Sequence, residues 1–155
     1  MSSPTLICVV RHGETDWNTA GVLQGWLDVP INERGRMQAR ELARTFADSG
    51  FAGVYTSPLR RARETAAIIA VLLRLPPPVC HDGLKERNFG VIQGIPKAEL
   101  AELNPALLEH IEGTDEVKLA PDDPDAGGEP HFIPLGWVVH VEMKVHLKQP
   151  GAEAK

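Results

Sequence analysis

Two short basic segments, Arg11-His12-Gly13 and Ser57-Pro58-Leu59-Arg60-Arg61, each follow directly on a strand-like run of apolar and β-branched residues. Turns at the carboxyl ends of strands are where open α/β sheets bind ligands. Arginine there points to phosphate, because a planar guanidinium fork matches phosphate oxygens. The formal net charge of −5, with both signs mixed along the chain, gives no electrostatic reason to expect nucleic acid or an anionic membrane as partner. An anion must therefore be bound by a local cluster of cations.

The elements that would hold these turns can be read in order. Residues 5–10 form an unalternating apolar run, as a strand buried on both faces does in a parallel sheet. Residues 33–49 carry Met37, Leu42 and Phe46 at helical spacing, and Gly50 follows as a stop. Residues 53–56 read as a second strand; Ser57 then caps, and Pro58 occupies the first turn of, a helix to about Leu75, ended by Pro76-Pro77-Pro78. Val79-Cys80 begins a third strand, residues 83–94 are irregular, and residues 97–112 have one helical period. Residues 113–134 are loop-like. In residues 137–148 Val139, Val141, Met143, Val145 and Leu147 alternate with polar residues, the pattern of a half-exposed edge strand.

The length of 155 residues and 43% hydrophobic content suit one globular domain with a real core. Cys8 and Cys80 lie in apolar settings without metal-site spacing, so both are expected as buried, inert free thiols in a reducing compartment. The first residues lack a basic segment, and the apolar run after them is too short for a leader or a membrane span. The expectation is a cytoplasmic protein.

Arg11-His12-Gly13-Glu14-Thr15-Asp16-Trp17-Asn18 resembles the RHGE-x-x-x-N signature of the histidine phosphatase and phosphoglycerate mutase superfamily. The resemblance continues, in the family's order, through Gln24-Gly25-Trp26, Asp28-Val29-Pro30, Gly35, Gln38-Ala39, the segment from Thr56 to Ala66, Leu84-Lys85-Glu86-Arg87-Asn88-Phe89-Gly90 and Gln93-Gly94. It implies a three-layer α/β/α fold with a mostly parallel central sheet. It also implies that His12 attacks phosphorus and carries a phosphohistidine, which suits an imidazole with an unperturbed pKa near about 6.5, substantially neutral at cytoplasmic pH. The family pattern maps the phosphate clamp onto Arg11 and Arg61, leaving Arg60 and Arg63 as solvated helix charges. It matches Asn18, Gln24 and Gly25 to phosphate or substrate contacts, Glu86 to the acid that protonates the leaving alkoxide, and Arg87 and Lys97 to substrate-binding positions. A general acid of that kind suits a carboxyl with a raised pKa in a partly buried pocket. No metal or cofactor is implied.

The resemblance breaks off after Gly127-Gly128-Glu129, where Pro130 stands in place of the family's Ser and no segment like Val-Val-Ser-His-Gly follows to supply the second active-site histidine. His140 follows Val138-Val139 but has no Gly after it, and His81, His110, His131 and His146 lack supporting context. The expectation is a histidine phosphatase-like domain over residues 1–129, incomplete at its C-terminus, and an atypical tail over residues 130–155, as a frameshift or truncation would leave it. Loss of an inner strand would expose apolar faces and unpaired edges, and loss of one preorganised donor typically costs about 10²–10³ in rate.

The function implied is hydrolysis of small phosphomonoesters. Phosphoglycerate mutase activity and a catalytically impaired phosphate-binding remnant are the alternatives. Gln24-Gly25 and Ser57-Pro58-Leu59 resemble the broad-specificity phosphatases, whereas residues 86–90 and Lys97 resemble the mutases. The later arginine pair that would bind a mutase substrate's carboxylate is absent. The expected partner is a small phosphoester; self-association is left open.

Overall fold

The computed structural model describes residues 7–113, 116–118, 132–134 and 143–147, the last three segments and Gly113 as backbone. In chain order these form β1 (Ile7–Val10), α1 (Asp16–Thr19), α2 (Glu33–Thr45), β2 (Phe51–Thr56), α3 (Arg60–Leu72), β3 (Val79–Cys80), α4 (Lys97–Leu103), α5 (Pro105–Gly113), β4 (Glu116–Lys118), β5 (Phe132–Pro134) and β6 (Met143–Leu147). Single 3₁₀ turns occupy Asp82–Leu84 and Gly90–Ile92.

Four strands form one sheet in the order β1-β6-β2-β3. β3 runs parallel to β2, and β6 runs antiparallel to both β1 and β2. Three strands therefore share one direction, as the apolar, unalternating β1 leads one to expect, and their carboxyl ends face the same side. β4 and β5 pair separately and antiparallel.

The position of β6 corrects the expectation of an edge strand. Met143 lies opposite both Val10 and Thr56, and Val145 opposite both Cys8 and Val54, so the strand is flanked on both sides. Period-two alternation reports how the two faces of a strand are solvated; it carries no information about how many neighbours the backbone has. The gap that a missing inner strand would leave between β1 and β2 is filled by a strand of opposite direction.

α2 and α3 pack on the sheet through small residues. Ala39, Ala43, Ala66 and Ala70 join Val10, Phe51, Val54 and Ile69 in the main core, with Phe46 and Phe51 meeting edge-to-face at 4.9 Å. Met37, expected on the apolar face, is exposed, because two helices this close bury alanine and glycine and turn the longer side chain outward. A second cluster joins Leu23, Leu100 and Ile111 beneath α4 and α5.

Three local expectations shift for identifiable reasons. The single helix expected over residues 97–112 is two, because Pro105 cannot continue α4 and Asn104 accepts from Leu107 N at 3.1 Å to start α5. Ser57 caps a turn instead of the helix: its Oγ accepts from Leu59 N at 3.0 Å, and α3 begins at Arg60, whose N–H donates to Asp28 Oδ1 at 2.6 Å. Cys80 is exposed, on a two-residue edge strand, whereas Cys8 is half-buried and its thiol pKa is raised by that burial; both are free.

Candidate active site

β1 delivers Arg11 and His12 to the carboxyl edge of the sheet. The loop that follows is held on two sides. Toward α2, a Cβ on Gly13 would lie 2.5 Å from the carbonyl oxygen of Gly35, and one on Gly35 would overlap the carbonyl of Glu14, so both positions need glycine for the backbones to touch. Asn32 caps α2 through Gly35 N at 2.9 Å and also donates from Nδ2 to Glu14 Oε1 at 3.0 Å. Toward α3, Gly13 N–H donates to Thr65 Oγ1 at 2.9 Å.

His12 is buried, at 6% exposure. Its Nδ1 lies 2.7 Å from Gly13 O. A carbonyl can only accept, so the proton sits on Nδ1 and the ring's lone pair belongs to Nε2. Burial pushes the pKa down to about 4; the Gly13 hydrogen bond opposes this, while the Arg61 and Arg11 charges lower the value further. The imidazole is thus neutral at ordinary pH, the state that a nucleophile requires.

Arg61 is 1% exposed, while its neighbours Arg60 and Arg63 are exposed. Its Nη1 donates to Leu27 O at 3.1 Å and its Nη2 to Gly25 O at 2.8 Å, which fixes the plane of the fork. Gly25 has φ +50°, in the left-handed region, and a Cβ there would overlap Gln93. Arg60 instead pairs with Glu64 at 2.7 Å on the surface.

One cleft gathers seven of the nine sequence-predicted residues. Arg11, Asn18, Gln24 and Gly25 line it together with Arg61, Arg87 and Lys97. An adjoining hollow is lined by Arg11, His12 and Asn18 with Glu14 and Gln38. Four cations against one lining carboxylate, Glu112, give the cleft a positive lining on a net-acidic chain, an arrangement that suits an anion. Asn18 shares a capping box with Thr15, in which its Oδ1 accepts from Thr15 N and Oγ1, each at 3.0 Å. The box leaves the amide nitrogen of this cleft-lining residue uncommitted to Thr15. The Oε1 of Gln24 is buried with no hydrogen-bond partner among the described residues.

Glu86 lines neither hollow. It is buried, and its Oε1 accepts from Arg87 N at 2.9 Å. Arg87 donates from Nη2 to Ile111 O at 2.8 Å and stacks over Phe89 at 5.0 Å, and Lys97 pairs with Glu112 at 3.0 Å. Both cations are therefore anchored to α5. His140 and Pro130 lie outside the described residues. Among the described residues no group of His, Cys, Asp and Glu is arranged to hold a metal ion, and no helix is long and apolar enough to cross a membrane.

Sequence reasoning passed over Thr65, Trp26 and Gln93, although each stands in a quoted motif. Trp26 donates its backbone N–H to Gln93 Oε1 and its indole Nε1–H to Glu86 O, both at 2.6 Å. The bonds they make here are to other parts of the protein, so no chemistry in their type announces them.

Residues 7–130 match the family described as the histidine phosphatase superfamily (branch 1), and residues 106–155 match a family described as an uncharacterized protein conserved in bacteria. The chain is 45% identical over 101 residues to the uncharacterized phosphatase PhoE of Bacillus subtilis, covering 65% of this chain and 52% of that protein. It is 41% identical over 98 residues to a 2,3-bisphosphoglycerate-dependent phosphoglycerate mutase of Gloeobacter violaceus, covering 62% and 45%. A mycobacterial glucosyl-3-phosphoglycerate phosphatase solved with VO3 superposes with a TM-score of 0.65 at 28% identity, covering 77% of this chain and 57% of that one. The chain spans about half the length of the curated relatives it matches.

Proposed function

The chain belongs to the histidine phosphatase superfamily (branch 1), and from that premise we propose that it hydrolyses small phosphomonoesters through a phosphohistidine on His12. The observation that carries this reading is the buried, neutral imidazole with its proton held on Nδ1 by Gly13 O, beside two arginines. The Nε2 lone pair attacks phosphorus as the ester P–O bond breaks, and the leaving alkoxide takes a proton from Glu86. Water then attacks the phosphohistidine, gives a proton to Glu86, and releases phosphate and neutral His12. Arg11 and Arg61 hold the equatorial oxygens, where charge accumulates in the transition state. Asn18, Gln24 and Gly25 supply further contacts.

The mutase alternative draws on Arg87 and Lys97 lining the same cleft and on the mutase relative. Hydrolysis is preferred because the phosphatase relative is the more similar of the two and the later carboxylate-binding arginine pair has no counterpart. We assign residues 1–129 to the phosphatase-like domain and residues 130–155 to a tail of different character. This division is supported by the superfamily match ending at residue 130; the second match covers the tail but reaches back to residue 106, into the phosphatase-like domain. The net charge of −5 gives no electrostatic reason to expect nucleic acid or an anionic membrane as partner, and the small phosphoester is instead recognised by the local cations of the cleft.

The test is hydrolysis of an aryl phosphate with EDTA near pH 6, comparing the folded, monodisperse chain with His12→Ala. Chelator-resistant turnover that disappears with His12, together with acid-labile phosphate on the protein, is expected. A folded protein that binds vanadate but turns over nothing is the impaired remnant, and transfer between phosphoglycerate hydroxyls without hydrolysis is the mutase.

A further inference from the structure

Thr65 is 2% exposed, and its hydroxyl makes two hydrogen bonds in opposite directions. It donates to Arg61 O at 2.8 Å and accepts from Gly13 N–H at 2.9 Å. The first is the back-bond to the carbonyl four residues earlier that threonine makes within a helix. It commits the hydroxyl hydrogen to α3 and leaves a lone pair for the chain entering from β1.

Gly13 is the residue whose carbonyl orients the His12 ring, at 2.7 Å from Nδ1. Its N–H is fixed by Thr65 and its C=O fixes the imidazole, so one residue passes the constraint from helix to ring. The helix that supplies Thr65 also supplies the buried Arg61, one turn earlier.

We infer that Thr65 is a positioning residue, whose hydroxyl sets the His12 imidazole, through the Gly13 peptide, in register with the Arg61 guanidinium. The inference rests on the proposed phosphatase reading for its kinetic consequence but not for its geometric one. Nucleophile and clamp come from turns far apart in sequence, and Thr65 joins them through a hydrogen bond spanning 52 residues. Without the hydroxyl a buried N–H loses its acceptor, a penalty that the loop can relieve by moving. Any such movement carries the ring away from the phosphate held by Arg61.

Thr65→Val keeps the shape and removes both bonds; Thr65→Ser keeps both bonds. Per folded molecule, Val is expected to lower kcat on an aryl phosphate about 10- to 100-fold, the scale of a small misplacement of a reacting group, with KM changed far less than kcat and vanadate affinity lowered, since the loop that moves carries Arg11 and His12. Ser restores most of kcat. Thr65→Cys, a weaker hydrogen-bonding group, falls between them and serves in place of Val if that variant does not fold. A purely structural role would lower stability and leave kcat per folded molecule intact, which overturns the inference, as does a Ser variant as impaired as Val. ¹⁵N NMR of the His12 ring supplies the arm independent of turnover. The Nδ1–H signal is expected in the wild type and in Ser, and shifted or lost in Val or Cys; an unchanged signal overturns the inference. A wild type without turnover sinks the phosphatase reading alone, and the ring signal still decides the role of Thr65.

Discussion

The indole Nε1 of Trp26 donates to the main-chain carbonyl of Glu86 across 2.6 Å, tying the loop after Gln24-Gly25 to the loop that carries the proposed acid. The ring is half exposed, with the Lys85 ammonium 4.8 Å above it. Its importance therefore lies less in buried area than in what it holds still.

Trp26→Phe keeps most of the ring and removes the donor. One such bond contributes about 1 kcal/mol to stability, so the fold should survive. With the Glu86 loop released, kcat should fall several-fold while vanadate still binds. Unchanged kcat in that variant would show that the Glu86 loop is held by its other contacts.

Gly35→Ala tests the seam between the His12 loop and α2. The new methyl would overlap the backbone carbonyl of Glu14, which no side-chain rotation can relieve. Overpacking of this kind costs about 1–3 kcal/mol, read as a lower denaturation midpoint, and vanadate affinity should fall with it because the displaced loop carries Arg11 and His12. Gly21→Ala is a useful contrast. No atom lies within 4 Å of its added Cβ, and the expected cost is limited to the strain of φ +65°.

The pH dependence of stability follows from His12. Its folded pKa of about 4 lies below the value of 6.5 for a free imidazole, so the unfolded chain binds more protons between those limits. Stability should therefore fall as pH drops from 6.5 toward 4, by about 3 kcal/mol at full protonation. His12→Asn removes this term. Denaturant unfolding of both proteins at pH 7 and pH 4 should show a steeper loss in the wild type, and equal losses would contradict the buried, neutral ring. In the same way, the acid limb of kcat/KM assigned to the free enzyme's nucleophile should lie well below pH 6.

The candidate site was legible because its basic groups sit in short motifs at strand ends: Arg11 and His12 close one strand, and Arg61 follows another. Burial separates Arg61 from Arg60 and Arg63 along the lines the motif spacing indicates. Thr65 was not legible in the same way. A threonine on a helix signals nothing by itself, and its partner Gly13 becomes its neighbour only when α3 packs against the end of β1. The break at Asn104-Pro105 was written in the sequence, but a continuous leucine period over residues 97–112 masked it. Cys80 misled because an apolar neighbourhood in sequence does not place a residue inside a sheet, and β3 is an edge strand.

The same limit applied to β6, and its position yields the sharpest test of the sheet. In an antiparallel strand with neighbours on both sides, every N–H points at one neighbour or the other, so proline at any interior position removes a ladder bond. An edge strand tolerates proline where the N–H faces solvent. Val145→Pro, opposite both Cys8 and Val54, should abolish cooperative unfolding or lower its midpoint sharply. Moving the proline to residue 144 or residue 146 should be no milder, since one ladder is broken in each case. If one of the three variants unfolds like the wild type, the strand has a free edge and does not lie between β1 and β2. If all three fail, the tail is an integral part of the sheet that positions His12 and Arg61, whatever its sequence relationship to the rest of the chain.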